Sequence, residues 1–251
     1  MTDSQEAPCI PFDDRAQALV RTMTPPLWLV GWFHLGGLAL TRLVLPHPRT
    51  KNLQVFDLDG TLLDTMTHHW TAWHTISRRY EFALTKTKLL SMAGMPSVSI
   101  MNTLMKEQNL EFDAAAAALE KQKLYASLAE GGTKTIPQVM ATAIEARKRG
   151  IPCAIATGGS RLQVEPAMKS SGVFDFFEVV VTCDDVTDGK PHPATFLRAA
   201  ELLNVDPRLC VGFEDAPMGM EAIRRAGFLQ AIDVTQYSWY PHVDDGFVDS
   251  G

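Results

Sequence analysis

The chain has 251 residues, of which 46% are hydrophobic and 21% are charged, and its formal net charge is −6. This composition is ordinary for a globular protein, and the length accommodates one large domain or a core with a smaller companion. An acidic chain lacks the basic surface that nucleic-acid binding requires, so we expect no nucleic-acid partner. The four cysteines show no paired spacing typical of a zinc or redox site, which favours a reducing, cytoplasmic location.

The first 51 residues form an N-terminal extension with one strongly apolar segment, 27–45. His34 and Arg42 interrupt this segment, and it falls short of the roughly 20 apolar residues that a transmembrane helix needs. The acidic residues before it are unlike a secretory signal or a transit peptide. Membrane or organellar association through 27–45 is therefore not favoured, but it stays open beside two alternatives, an apolar extension that packs on the domain and a poorly ordered leader.

From residue 52 onward, strand and helix patterns follow one another. An apolar run at 51–56 predicts a buried strand, and a helical block extends from 65 to the glycine pair at 131–132, with Ser97 and Asp113 as N-cap candidates. The predicted strands beyond it are 151–156, 178–181, 209–213 and 228–232, and the predicted helices are 137–149, 160–171, 193–203 and 218–226.

Uniformly apolar strands between amphipathic helices predict an α/β fold with a parallel sheet that helices cover on both faces. Because the helical block follows the first strand, it is an insertion into that fold. We assign the α/β core to 52–64 and 136–235 and the helical insertion to 65–135. Residues 236–251 form a C-terminal tail.

Polar groups follow two of these strands in patterns suited to phosphate chemistry, at the sheet edge where ligands bind. Asp57 and Asp59 come directly after the first strand, and Gly60 allows the chain to bend there. One carboxylate can attack while the other transfers protons, and both can help to hold a hard cation. The run 157–160 (TGGS) offers a hydroxyl and backbone N–H groups at a helix start, which is an anion site.

Two further segments carry charged groups beyond predicted strands. Lys190 lies in a loop stiffened by two prolines, 189–193. Glu214 and Asp215 follow the strand 209–213 directly. Adjacent carboxylates repel one another unless a positive charge lies between them, and a divalent cation would supply it.

Taken together, four segments resemble the motifs of the haloacid dehalogenase superfamily. They are 56–65 (FDLDGTLLDT), 156–160 (ATGGS), 189–193 (GKPHP) and 213–222 (FEDAPMGMEA), and the resemblance extends over roughly 52–233. It implies a Rossmann-like core with a helical cap that closes over the substrate. It also implies a Mg²⁺-dependent phosphoric monoester hydrolase that acts on a small phosphorylated metabolite and is a monomer.

The resemblance also implies a role for each residue at the reacting phosphorus. Asp57 is the nucleophile that becomes an aspartyl-phosphate, and Asp59 protonates the leaving oxygen and then activates water. Thr157, Gly158 and Lys190 bind the phosphate and offset its charge.

The same resemblance implies the metal ligands. Mg²⁺ is held by the Asp57 carboxylate, the backbone carbonyl of Asp59 and Asp215, with Glu214 assisting directly or through water. The acidic pair at 184–185 either contributes to the outer shell of the metal, fixes the loop lysine, or caps a turn.

Within the cap, the stretch 67–73 resembles that of sugar-phosphate phosphatases and β-phosphoglucomutases, and His69 falls on the position that faces the active site. Lys121, with Tyr125 four residues later, matches a second cap element of these relatives. Simple exposure on a helix surface is the alternative for both His69 and Lys121.

The mutase relatives carry an arginine after a cap glycine, where it grips a distal phosphate. The corresponding stretch here, 93–99 (AGMPSVS), contains no arginine or lysine, and Thr61 is also typical of the phosphatases. We therefore expect hydrolysis of a sugar monophosphate, as in fructose-1-phosphate-type phosphatases. A β-phosphoglucomutase-like phosphomutase and a non-catalytic phosphometabolite-binding homologue are the alternatives.

Overall fold

The structure is a computed structural model and describes residues 52–240. The predictions about the N-terminal extension and its segment 27–45 fall outside the described residues. Within 52–240, no helix combines the length and the apolar character needed to cross a membrane.

The described chain contains seven strands, five of which form one parallel sheet. The strands are β1 (Leu53–Phe56), β2 (Leu63–Asp64), β3 (Lys134–Thr135), β4 (Cys153–Ala156), β5 (Val179–Val181), β6 (Cys210–Glu214) and β7 (Gln230–Asp233). The sheet order is β5-β4-β1-β6-β7, and every neighbouring pair is parallel. Because Phe56 on β1 is in register with Ile155 on β4 and Phe213 on β6, these three strands end at the same edge.

Eight α-helices complete the described part of the chain. They are α1 (Met66–Arg79), α2 (Lys86–Ser91), α3 (Ser97–Gln108), α4 (Ala114–Glu130), α5 (Pro137–Lys148), α6 (Arg161–Ser170), α7 (Ala194–Leu202) and α8 (Pro217–Arg225). Strands β2 and β3 pair antiparallel, so the two ends of the helical block α1–α4 lie side by side. This confirms the predicted fold class, a parallel α/β core with a helical cap inserted after the first strand.

Each face of the sheet buries its own apolar cluster, as the alternation of side chains along a strand requires. Leu53 and Val55 of β1 pack on one face with Phe196 of α7 and Ile223 of α8. On the other face, the ring of Phe56 stacks on that of Phe213 with centroids 4.6 Å apart. The helical block has a third core of its own, which includes Trp73, Ile76, Met101 and Leu104.

The predicted helix ends are accurate to within a residue or two, and the caps explain the differences. Asp113 is an N-cap as predicted, and its carboxylate accepts hydrogen bonds from the N–H groups of Ala115 and Ala116. The prediction that Ser97 caps a helix is wrong, because Ser97 is the first residue of α3 and Pro96 precedes it as the N-cap.

Candidate active site

The turn after β1 brings two carboxylates to the carboxyl edge of the sheet. The N–H of Asp57 continues the strand pairing by donating to the carbonyl of Phe213 at 2.9 Å. Gly60 has a φ of +85°, and a Cβ at this position would lie 2.3 Å from Oδ2 of Asp215. The turn therefore requires glycine for both its backbone conformation and its close packing on Asp215.

Three carboxylates, two of them buried and one half-buried, meet beside this turn. Oxygens of Asp57, Glu214 and Asp215 all lie within 4.8 Å of one another. Burial raises the pKa of Asp57 to about 8, with Lys190 opposing and Glu214 adding to the shift. Burial and the charge of Glu214 hold the pKa of Asp215 well above its usual range. Lys190 alone cannot neutralise three carboxylates, and carboxylate oxygens are the ligands that Mg²⁺ prefers, so these three residues fit a divalent cation.

Hydrogen bonds orient the two acids that follow β6. Glu214 Oε2 accepts from the N–H groups of Asp215 at 2.7 Å and Ala216 at 2.6 Å. Thr61 Oγ1 donates to Asp215 Oδ1 at 3.0 Å, which ties the Asp57 loop to the β6 loop. These bonds occupy Oε2 of Glu214 and Oδ1 of Asp215, so Oδ2 of Asp215 is left for a cation.

Lys190 is 2% exposed and reaches the cluster from the loop before α7. Its Nζ donates to Asp57 Oδ1 at 2.5 Å and to Glu214 Oε1 at 2.8 Å. Burial lowers the pKa of Lys190, but Asp57 and Glu214 outweigh burial and hold the pKa above its usual value. The ammonium therefore stays charged and neutralises part of the acidic cluster.

The Asp59 side chain turns away from the three carboxylates and toward the helical block. Tyr125 of α4 donates to Asp59 Oδ1 at 2.8 Å, and Nε2 of His69 on α1 lies 3.2 Å from the same oxygen. Burial raises the pKa of Asp59, but His69 and the hydrogen bonds lower it by more than burial raises it, so the net pKa is below its usual range. The side chain of Asp59 is not part of the three-carboxylate cluster, which agrees with the prediction that Asp59 would bind the metal through its backbone carbonyl.

Lys121 extends this network across the interface between the block and the core. Its Nζ lies 3.0 Å from Nδ1 of His69 and donates to Oε1 of Gln163 on α6 at 3.3 Å. Since an ammonium can only donate, Nδ1 accepts and the Nε2–H of His69 faces Asp59. Burial lowers the pKa of Lys121 to about 7, although Asp59 opposes the shift.

The run 157–160 lies at the start of α6, beside the two acidic loops. The N–H of Thr157 donates to the carbonyl of Val181 at 2.9 Å, and its Oγ1 accepts from the N–H of Gly159 at 3.0 Å. A Cβ on Gly158 would lie 2.3 Å from the carbonyl oxygen of Gly94 in the helical block. The block therefore contacts the core closely at this loop.

One cavity unites these groups between the core and the helical block. The core lines it with Asp57, Asp59, Thr157, Gly158, Gly159, Gln163, Glu214, Asp215 and Ala216. The block lines it with Met66, His69, Trp73, Leu89, Ala93, Gly94, Met95, Ser97, Ile100 and Lys121. His69 and Lys121 therefore face the site and are not surface residues. Lys190 lies behind the cavity wall, where its ammonium contacts the lining residues Asp57 and Glu214.

The carboxylates of Asp184 and Asp185 accept hydrogen bonds from backbone N–H groups. Asp185 Oδ2 accepts from the N–H and Oγ1 of Thr182 at 2.8 and 2.7 Å, and Asp184 Oδ2 accepts from the N–H of Arg161 at 2.8 Å. Of the alternatives that the sequence left open, turn capping is the one observed. These bonds fix the first turn of α6 and hence the neighbouring 157–160 loop.

Two polar contacts at the site carry roles that the sequence did not suggest. The hydroxyl of Tyr125 binds Asp59, although the sequence indicated only its spacing from Lys121. Gln163 is 3% exposed and joins the core to Lys121. The four-residue spacing of Lys121 and Tyr125 on one helix face was the available signal for the first contact, and Gln163 had none.

A parallel sheet with acids at adjoining strand ends, a buried lysine and a helical block over the cavity is typical of phosphate-ester hydrolases with a Rossmann-like core. Residues 52–227 match the haloacid dehalogenase-like hydrolase family. The chain belongs to this family, as its motifs predicted.

The curated relatives include sugar phosphatases. The fructose-1-phosphate phosphatase of Escherichia coli is 32% identical over 72% of this chain and 94% of its own length. The hexitol phosphatase A of the same organism is 35% identical over 69% of this chain and 78% of its own length. These matches confirm the prediction that the chain is an enzyme, a hydrolase of the phosphatase type.

Solved structures share the fold. A β-phosphoglucomutase from Clostridium difficile superposes with a TM-score of 0.65 at 24% identity, covering 72% of this chain and 83% of that one. At this identity the likeness supports the architecture, a Rossmann-like core with a cap, and not a choice between hydrolysis and mutase chemistry.

Proposed function

We propose that the protein is a Mg²⁺-dependent phosphatase that hydrolyses a small sugar monophosphate through an aspartyl-phosphate on Asp57. The observation that carries the proposal is the position of Asp57 in the cavity, with Lys190 at 2.5 Å and the acids Glu214 and Asp215 beside it. Relatives named for fructose 1-phosphate and hexitol phosphates support the substrate class.

The first step is attack on phosphorus by a carboxylate oxygen of Asp57. The bond from phosphorus to the ester oxygen breaks, and Asp59 gives that oxygen a proton so that it leaves as an alcohol. His69 and Tyr125 stabilise the ionised form of Asp59 before substrate binds. A phosphate dianion beside Asp59 raises its pKa, because a like charge disfavours ionisation, so Asp59 takes up a proton from solvent as substrate binds and can then act as an acid.

The second step hydrolyses the aspartyl-phosphate. Asp59, ionised after the first step, takes a proton from water, and the water oxygen attacks phosphorus. The bond to the Asp57 oxygen breaks, which releases inorganic phosphate and restores the carboxylate. The contacts that Asp59 makes with His69 and Tyr125 favour the ionised state that this step requires.

Charge on the phosphoryl group is offset from several sides. The ammonium of Lys190, the hydroxyl of Thr157 and the N–H of Gly158 are the protein groups that we assign to this task. Mg²⁺, held by Asp57, Asp215, Glu214 and the carbonyl of Asp59, supplies further positive charge to the phosphoryl oxygens when bound.

The cap wall favours a substrate with one phosphate. Its lining includes Trp73, Leu89, Met95 and Ile100, and its cationic side chain is Lys121. No arginine lines this cavity among residues 52–240. A mutase must hold a second phosphate at the far end of the sugar, and a single lysine that also binds His69 and Gln163 is poorly suited to that task.

The test is phosphate release from a panel of sugar, polyol and glycolate monophosphates. We expect Mg²⁺-dependent release from some of them, loss of release with EDTA, and its recovery with added Mg²⁺. Asp57→Asn keeps the shape of the site but removes the nucleophile, so it should release no phosphate.

Two other results would point to a different function. Isomerisation of a sugar phosphate on addition of a bisphosphate, without free phosphate, would identify a phosphomutase. Absence of both phosphate release and isomerisation, together with Mg²⁺-dependent binding of one phosphorylated compound, would identify a non-catalytic binding homologue.

A further inference from the structure

The segment after the last strand, residues 234–240, packs against the turn that carries Asp57 and Asp59. Asp233 caps a short 3₁₀ turn, 234–236, and Val234 is fully buried in the core. Beyond it the rings of Tyr237 and Trp239 stack with centroids 5.2 Å apart, and the N–H of Tyr240 donates to the carbonyl of Tyr237 at 2.9 Å. These contacts give residues 234–240 a defined path, although the family match ends at residue 227.

Tyr240, the last residue of this segment, contacts the turn that carries the two aspartates. Its hydroxyl donates to the carbonyl oxygen of Gly60 at 2.8 Å. The N–H of Gly60 donates in turn to the carbonyl of Leu63 at 2.8 Å. Both polar groups of this glycine are therefore hydrogen-bonded, which removes most of the freedom that glycine gives to a chain.

The orientation of Gly60 bears on the acidic cluster through two contacts. Its Cα packs against the Asp215 carboxylate so closely that a Cβ would lie 2.3 Å from Oδ2. The next residue, Thr61, donates from Oγ1 to Asp215 Oδ1 at 3.0 Å. A rotation of the peptide between Gly60 and Thr61 would therefore move the Asp215 carboxylate.

We propose that Tyr240 is a positioning residue, whose hydroxyl holds the Gly60 carbonyl and thereby sets the Asp215 carboxylate in the geometry that binds the metal. This inference rests on the proposed function for its catalytic consequence. Its structural consequence, an effect on cation affinity, can be measured without any substrate. Tyr240 does not line the cavity, so it acts through Gly60 and not on the sugar.

The experiment compares wild type with Tyr240→Phe, which removes one oxygen and keeps the ring. Mg²⁺ affinity is measured by isothermal titration calorimetry without substrate, and kcat and KM are measured at saturating Mg²⁺. One lost hydrogen bond predicts a Mg²⁺ dissociation constant raised about 3- to 10-fold. We expect a fall of similar size in kcat, with KM changed less than about 2-fold.

Tyr237→Phe is the matched control, because its ring also packs against the core and its hydroxyl makes no hydrogen bond to the described residues. It should leave Mg²⁺ affinity and kcat unchanged. Circular dichroism at 15 °C verifies that both variants are folded. If Tyr240→Phe matches wild type in Mg²⁺ affinity, if both variants weaken it equally, or if wild type binds no Mg²⁺, the proposal is overturned. Failure of the whole substrate panel would contradict the proposed function and leave this comparison intact.

Discussion

Tyr125 donates a hydrogen bond to Asp59 across the interface between the helical block and the sheet core, with 2.8 Å between the two oxygens. The two residues are 66 positions apart in the chain, and the helical block carries one while the turn after β1 carries the other. The contact couples the position of helix α4 to the protonation of the carboxylate that we assign to proton transfer. The hydrogen bond between Tyr125 and Asp59 can therefore form only while the block lies against the core.

Removal of this hydroxyl should change the pH dependence of the enzyme. Tyr125 lowers the pKa of Asp59, so Tyr125→Phe raises that pKa and the ionised form persists over a narrower range. A hydrogen bond of about 1 kcal/mol corresponds to roughly 0.7 pH units. We expect the acidic limb of the kcat profile to move to higher pH by about 0.5 to 1 unit. An acidic limb that stays in place would contradict the role of this bond.

The titration of Lys121 should make activity fall on the alkaline side of the pH profile. Burial lowers its pKa to about 7, so in the free enzyme the ammonium is present below that pH and lost above it. Because an ammonium attracts an anionic substrate and a neutral amine does not, kcat/KM should fall as pH rises through about 7. A bound phosphate holds the proton on Lys121, so kcat should fall much less over the same range.

The matched variant for this prediction is Lys121→Met, which keeps the length of the side chain. It should lower kcat/KM at pH 6 and remove the alkaline limb near pH 7. Persistence of that limb in the variant would assign the titration to another group.

Lys190 should be essential for both activity and stability. Its Nζ contacts Asp57 and Glu214, both of which are almost fully buried. Lys190→Met would leave these carboxylates without their partner, and loss of one partner of a buried ion pair costs about 3–5 kcal/mol. We expect a fall of this size in the free energy of unfolding in urea, together with loss of phosphate release.

Lys88 provides the control for Lys190. Its ion pair with Glu107 is exposed, with 36% and 47% of the side chains accessible. Such pairs contribute about 0–1 kcal/mol, so Lys88→Met should change the free energy of unfolding by no more than that. Added Mg²⁺ should restore part of the stability of Lys190→Met, since it supplies charge to the same carboxylates. Equal effects of the two substitutions would contradict the buried pairing.

The groups at the strand ends were predictable because local sequence and parallel topology determine them together. Apolar strands that run in the same direction end at one edge, so Asp57 and Glu214 had to lie near one another. Contacts that depend on long-range packing were not predictable. Tyr240 reaches Gly60 over 180 residues, and nothing in its local sequence indicates a partner.

Helix ends show a similar limit on a smaller scale. The last strand was predicted from residue 228 but begins at Gln230, because Gly227 takes a φ of +71° and the N–H of Phe228 donates back to the carbonyl of Ile223. This closure of α8 uses Phe228, which an apolar pattern alone assigns to the strand. Ser97 was misassigned for a related reason, since the carbonyl of Pro96 already accepts the first hydrogen bond of α3 from Ile100.

The contact between Gly158 and Gly94 predicts a different kind of variant, one that impairs closure of the block while the fold is retained. A Cβ on Gly158 would lie 2.3 Å from the carbonyl oxygen of Gly94, and backbone atoms cannot yield as a flexible side chain can. Gly158→Ala should therefore hold the helical block away from the core and separate Tyr125 and His69 from Asp59. We expect kcat/KM to fall at least about 10-fold, because small displacements of catalytic groups lower the rate of reaction by this factor or more. The free energy of unfolding should fall by about 1–3 kcal/mol, since Tyr125 and Ala129 of the block share an apolar cluster with Phe56 of the core. Gly131→Ala, at a φ of −67° and 3.2 Å from the carbonyl of Leu128, is the control and should leave kcat/KM near that of wild type. Unchanged kcat/KM in Gly158→Ala would show that catalysis does not require this approach of the block to the core.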